Sequence, residues 1–234
     1  EQVYGYYLRL ALTDLGQGHL NTFPYYDEKP GLPRILLLGD SISLGIRVQT
    51  QQLYQSQATI QGAPMNCLGF SKYETALKDW LGSCPWDLVQ FNVGMHYHPK
   101  IRGNSTAWHK EYVKGITNIV NAIRAHSPSA RIVFALTTPS PFDSKATTPK
   151  KSTCPHYSKF HKAGFVPAMN KVAISIADQL GIIINDRYSL IQPVLQQYQL
   201  PCDIHFSEEG YRYMAQNDWK VLSTALAMEN DPHR

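Results

Sequence analysis

Apolar residues along this chain alternate between two rhythms. Short, largely apolar runs at 34–38, 87–93 and 131–136 have the length and the bounding residues of strands buried on both faces of a sheet. Weaker runs at 58–61 and 182–184 predict two further strands. Between them the period changes. Tyr73, Ala76, Leu77, Trp80 and Leu81 recur at i, i+3, i+4 and i+7, and Tyr112, Ile116, Ile119, Val120 and Ile123 do the same within 108–125. Both sets mark helices with one apolar face, and Pro128 stands just past the second as a stop. Helices are also predicted at 42–55, 164–180 and 188–198. A last one runs to about Met228, capped by Ser207 and opened by Glu208 and Glu209, whose charge suits a helix's positive end.

Five strands interleaved with helices predict a single α/β domain. It would be a three-layer α/β/α sandwich around a five-stranded parallel sheet, with flavodoxin-like strand order. Residues 34–228 form that domain, 1–33 an irregular lead-in rich in Tyr, Gly and Pro that packs on it, and 229–234 a tail. The long Thr-, Ser-, Pro- and Lys-rich stretch at 137–160 is predicted as a functional loop, since structureless loops of that length are uncommon in compact domains.

Charge narrows the function classes. The formal net charge is +4, but the basic residues are scattered, with one dense knot at 145–151. A scattered excess is a solvated surface rather than a nucleic-acid footprint, so no nucleic-acid partner is expected. No run approaches the roughly 18 apolar residues of a membrane helix, so no membrane partner is expected either. Three signs point to a secreted protein: a start at Glu1 without methionine, the glycosylation acceptor Asn104-Ser105-Thr106, and four cysteines, an even number. Of three possible pairings, Cys67–Cys84 with Cys154–Cys202 is the one expected. Each closure would contribute on the order of 3 kcal/mol in the chain-entropy view. Oligomeric state is not legible.

The candidate chemistry lies where predicted strands stop. Gly39-Asp40-Ser41 follows the first strand, Asn66-Cys67-Leu68-Gly69 the second and Gly94-Met95-His96 the third, while Asp203-Ile204-His205 precedes the last helix. A parallel sheet gathers such segments at its carboxyl edge, where open α/β folds bind their ligands. In order and spacing these blocks resemble the SGNH (GDSL-type) hydrolase superfamily over about residues 34–228. The resemblance implies a serine esterase acting on O-acyl groups, O-acetyl esters of carbohydrate above all, with no cofactor. By that resemblance Ser41 is the nucleophile, His205 the general base, and Asp203 the carboxylate behind the imidazole. The oxyanion hole comes from the N–H groups of Ser41 and Gly69 and the side chain of His96.

Two blocks depart from the family pattern. His96 stands where the family usually has Asn; a neutral imidazole still donates one N–H, but it titrates near neutrality. The usual Asp-x-x-His is here Asp203-x-His205, with Cys202 at the longer offset. Residues i and i+2 share a side only in extended backbone, so either Asp203 or a backbone carbonyl orients the ring. Two other readings follow from the same residues. His96, His98, Asp203 and His205 are ligand types for a metal-assisted hydrolase, and loss of catalysis through the two departures would leave a glycan-binding protein.

Overall fold

A computed structural model of the chain describes residues 29–63, 65–97, 107–141 and 164–228. Five strands form one parallel sheet: β1 (Arg34–Leu38), β2 (Thr59–Gly62), β3 (Leu88–Phe91), β4 (Arg131–Ala135) and β5 (Ile183–Asn185), in the order β2-β1-β3-β4-β5. The long helices are α1 (Ser41–Tyr54), α2 (Phe70–Leu81), α3 (Ala107–His126), α4 (Phe165–Leu180) and, last, α7 (Glu208–Ala227). Between β5 and α7 lie α5 (Arg187–Ile191), a 3-10 turn (Gln192–Val194) and α6 (Leu195–Tyr198). The single helix expected at 188–198 is thus broken in three. Pro193 has no N–H to continue an α-helical ladder, and the chain tightens there into 3-10 geometry.

The sheet separates two cores because successive side chains of a strand point to opposite faces. Leu36, Leu38, Val89, Phe91, Ile132 and Phe134 pack beneath α2, α3 and α4. Ile35, Leu37, Leu88 and Val133 face the other way, onto Leu222 and Ala225 of α7. A third cluster, with Ile42, Ile46, Met214 and Ala215, joins α1 to α7 near the sheet's carboxyl edge. This is the three-layer, flavodoxin-like sandwich the sequence predicts. Its topological switch point falls between β1 and β3, the place where the rule for open sheets puts a ligand.

The expected Cys67–Cys84 disulfide is absent. Both are free thiols, Cys67 buried and Cys84 exposed. They flank opposite ends of the 12-residue α2, whose rise of roughly 18 Å far exceeds the ~7 Å that a disulfide tolerates between Cα atoms. Cys154, the glycosylation acceptor at Asn104, the basic knot at 145–151, most of the long loop, and residues 1–28 and 229–234 lie outside the described residues.

Candidate active site

Ser41 is positioned by the abrupt passage from β1 to α1. Asp40 caps the helix, its carboxylate accepting from the Ile42 N–H at 3.1 Å, so the hydroxyl of Ser41 is not needed as a cap. Ser41 is the first helical residue, and its own N–H is among those with no intrahelical partner. The turn requires Gly39: a Cβ there would lie 2.5 Å from the Ser43 Cβ, which cannot move aside without shifting the α1 backbone.

His205 comes from a hairpin-like excursion between α6 and α7. The Leu200 N–H donates to the His205 carbonyl at 2.9 Å, and the Ser207 N–H to the Tyr198 carbonyl at 2.8 Å, with Gln199 bridged antiparallel to Phe206. Cys202 turns the tip in the left-handed region, at φ 58°. At that tip one carboxylate oxygen of Asp203 accepts both the His205 backbone N–H, at 3.2 Å, and ring Nδ1, at 2.7 Å. A carboxylate accepting from the N–H two residues on is an Asx-type turn. This turn brings the carboxylate to the ring without the regular extended backbone that the i, i+2 spacing would otherwise need. On the far side of the ring, Nε2 lies 2.8 Å from Ser41 Oγ.

The electrostatics match the geometry. Partial burial raises the Asp203 carboxyl, but hydrogen bonds from the His205 ring and backbone N–H, together with the ring's charge, outweigh it and hold the group below its ordinary value. A depressed carboxylate stabilises the fold above the unfolded value of 3.8, and that contribution is lost as pH falls through the folded value. Asp203→Asn should therefore melt below the wild type at neutral pH, and the margin should close as the pH falls below 3.8. A margin independent of pH in thermal melts would show that the carboxylate's charge is not involved. Tyr211 lies close by on α7, its phenol pushed up to about 12 by burial, with the charges of Asp40 and Asp203 acting in the same direction.

The other two candidate positions meet across the switch point. Gly69 caps α2 at its N-terminus. A Cβ built on Gly69 would lie 3.2 Å from the His96 carbonyl oxygen, so the loops after β2 and β3 touch there. His96 is exposed, in a turn closed by the Tyr97 N–H donating to the Gly94 carbonyl at 2.7 Å. Among the described residues no three or more His, Cys, Asp or Glu side chains gather as a metal-holding group, and His98 lies outside them.

Sequence reading missed what lies underneath. Arg187 and Asp218, 3% and 1% exposed, form a buried ion pair whose shortest contact is 2.5 Å. Asn185 and Gln90 donate to the same carboxylate at 2.8 and 3.1 Å, and Arg187 donates to Ser43 Oγ at 3.1 Å. The network thus ties β3, β5 and α5 to α7, which follows His205, and to α1, which carries Ser41. Its one sequence signal is polar residues at apolar positions, Gln90 within β3 and Asp218 within α7. Asn170 of α4 was equally silent. It exchanges hydrogen bonds of 3.0 and 2.9 Å with the Thr137 backbone and pins the start of the long loop.

The sequence pattern of the GDSL-like lipase/acylhydrolase family matches residues 37–213, more than half of the chain. Among curated proteins none matches in sequence. Solved structures resemble the fold. The putative platelet activating factor from Streptococcus pneumonia is 14% identical, with a TM-score of 0.65 over 94% of this chain and 91% of that one. A lipase/acylhydrolase from Enterococcus faecalis is 13% identical, with a TM-score of 0.60 over 82% and 96%. An acetyl xylan esterase from Geobacillus stearothermophilus is 12% identical, with a TM-score of 0.56 over 84% and 95%.

Proposed function

Since this chain belongs to the GDSL-like lipase/acylhydrolase family, we propose that it is a secreted serine esterase that removes O-acyl groups, most of all O-acetyl groups, from carbohydrate. Membership in the family indicates an ester hydrolase; the residues and the substrate are our reading. The observation that carries it is the unbroken chain of contacts from Ser41 Oγ through both ring nitrogens of His205 to Asp203. Ser41 Oγ attacks the ester carbonyl carbon while its proton passes to Nε2 of His205. Asp203 keeps the other ring proton on Nδ1, which leaves Nε2 unprotonated and ready to accept, and it stabilises the imidazolium that forms. The N–H groups of Ser41 and Gly69, with the His96 ring as a further donor, receive the negative oxygen of the tetrahedral intermediate. Its collapse expels the alcohol, which takes the proton from Nε2. Water then repeats the sequence and frees the acid.

Carbohydrate is favoured by the acetyl xylan esterase among the fold's neighbours. The glycosylation acceptor at Asn104 favours an extracellular setting. With Cys67 and Cys84 free, Cys154–Cys202 is the pairing left for that oxidising setting.

The test pairs fluorophosphonate labelling, located by peptide mapping, with an acetate-release screen over acetylated glycans and a series of p-nitrophenyl esters of rising chain length. Labelling at Ser41 with acetate release and a preference for the acetyl ester is the expected outcome. Rates that climb with chain length, with no acetate released from any glycan, would move the substrate to lipid esters. Failure to label or hydrolyse at all would remove the esterase reading.

A further inference from the structure

Two residues before Ser41 lies Gly39, and two residues before Gly69 lies Cys67. These two join reciprocally. The Gly39 N–H donates to Cys67 Sγ at 3.3 Å, and the Cys67 N–H donates to the Gly39 carbonyl at 2.9 Å. The sulfur is wholly buried, and the Tyr73 hydroxyl, which donates to the Asn92 carbonyl at 3.0 Å, lies against it. One thiol therefore touches the segments that leave β1 and β2, and reaches the one leaving β3 through a single phenol. Nearby, Arg47 of α1 donates to the Ala63 carbonyl at 2.6 Å and ties the same two segments together a second time.

The segment held in this way is under strain. Leu68, between Cys67 and Gly69, sits at φ 49°, in the left-handed region that a branched residue seldom adopts. Its N–H is taken by the Asn66 side chain at 2.9 Å. A backbone of this kind persists only where its surroundings over-determine it. Burial pushes the Cys67 thiol up to about 12, so the sulfur stays neutral and is no nucleophile of its own.

We propose that Cys67 is a positioning residue for ester hydrolysis: by gripping Gly39 through its sulfur and its amide, it fixes the spacing of the Ser41 and Gly69 N–H groups around the oxyanion. This rests on the serine-esterase reading above. The sulfur acts as an acceptor, which separates it from a side chain that merely fills space. Cys67→Ala and Cys67→Ser give up nearly the same volume, but only the serine keeps an acceptor.

The experiment measures kcat and KM on p-nitrophenyl acetate and the rate of fluorophosphonate labelling for both variants, normalised to folded protein by near-UV circular dichroism. Displacing a catalytic group by about an ångström costs up to ~10²-fold, so Cys67→Ala should lose about tenfold or more in kcat and in labelling rate, with KM within about twofold. Cys67→Ser should stay within about threefold of wild type in both. Equal losses in the two variants, a larger loss in the serine, or wild-type turnover in the alanine would each overturn the positioning role. Ser41→Ala, run alongside, separates the two ideas. If it stays active, the esterase reading itself fails; if it is dead while Cys67→Ala is unimpaired, only the role of Cys67 falls.

Discussion

Ser41→Ala should abolish hydrolysis of p-nitrophenyl acetate, with turnover falling by about 10⁵-fold or more, on the scale seen when a serine hydrolase loses its nucleophile. The fold should stay intact. The hydroxyl's contact in the structure is with His205 Nε2, while the cap of α1 comes from Asp40. A half-buried hydroxyl that serves no helix end can be removed at little cost, within about 0.5 kcal/mol and so a small shift in Tm. Kinetics and thermal melts on one preparation check both halves. Undiminished turnover in the alanine variant would end the serine mechanism.

Asp218→Asn should strike stability far harder than Ser41→Ala or Asp203→Asn. The Arg187 guanidinium donates to Asp218 through Nε at 3.1 Å and Nη2 at 2.5 Å, and almost nothing of either side chain reaches water. An amide in place of the carboxylate leaves that cation buried with no counter-charge, and breaking such a pair costs about 3–5 kcal/mol. For a domain of this size that corresponds to a Tm lower by about 10 °C. The pair need not be net stabilising, because two charges must be desolvated to make it. Replacing both members with apolar residues, as in Arg187→Met with Asp218→Leu, should recover only part of the loss, because the buried Gln90 and Asn185 amides then lose the acceptor they share. A single variant melting with the wild type would mean that the charge is relieved from elsewhere.

The fold was legible because its signals are local. Ile35 to Leu38 reads as a doubly buried strand from its own four side chains, and the Tyr73–Trp80 spacing declares a helix without reference to anything else. Order and handedness then follow from general rules for parallel sheets. What failed was also physical. The stretch 188–198 has helical spacing, but Pro193 overrides periodicity by removing a donor. Cys67 and Cys84 looked like a pair only because counting cysteines ignores the helix that holds them apart.

The candidate site divides along the same line. Ser41, Gly69, His96 and His205 announced themselves by standing just beyond strand ends or ahead of the last helix, which is information of sequence position. Whether Asp203 reaches the imidazole was not such information. It depended on a hairpin tip with Cys202 left-handed and an Asx-type turn, set by hydrogen bonds to Tyr198 and Leu200.

By itself, then, the chain's sequence determined the elements, their layering and the set of polar groups at the sheet's carboxyl edge, because propensity and periodicity act over a few residues. Only the tertiary structure decided which of those groups meet. It set the 2.8 Å between hydroxyl and imidazole, the burial of Arg187 against Asp218, and the grip of a thiol on the glycine two residues ahead of Ser41. These contacts join residues 28 to 164 positions apart, and their geometry is fixed by how helices and loops pack on the sheet, a property no short stretch of sequence carries.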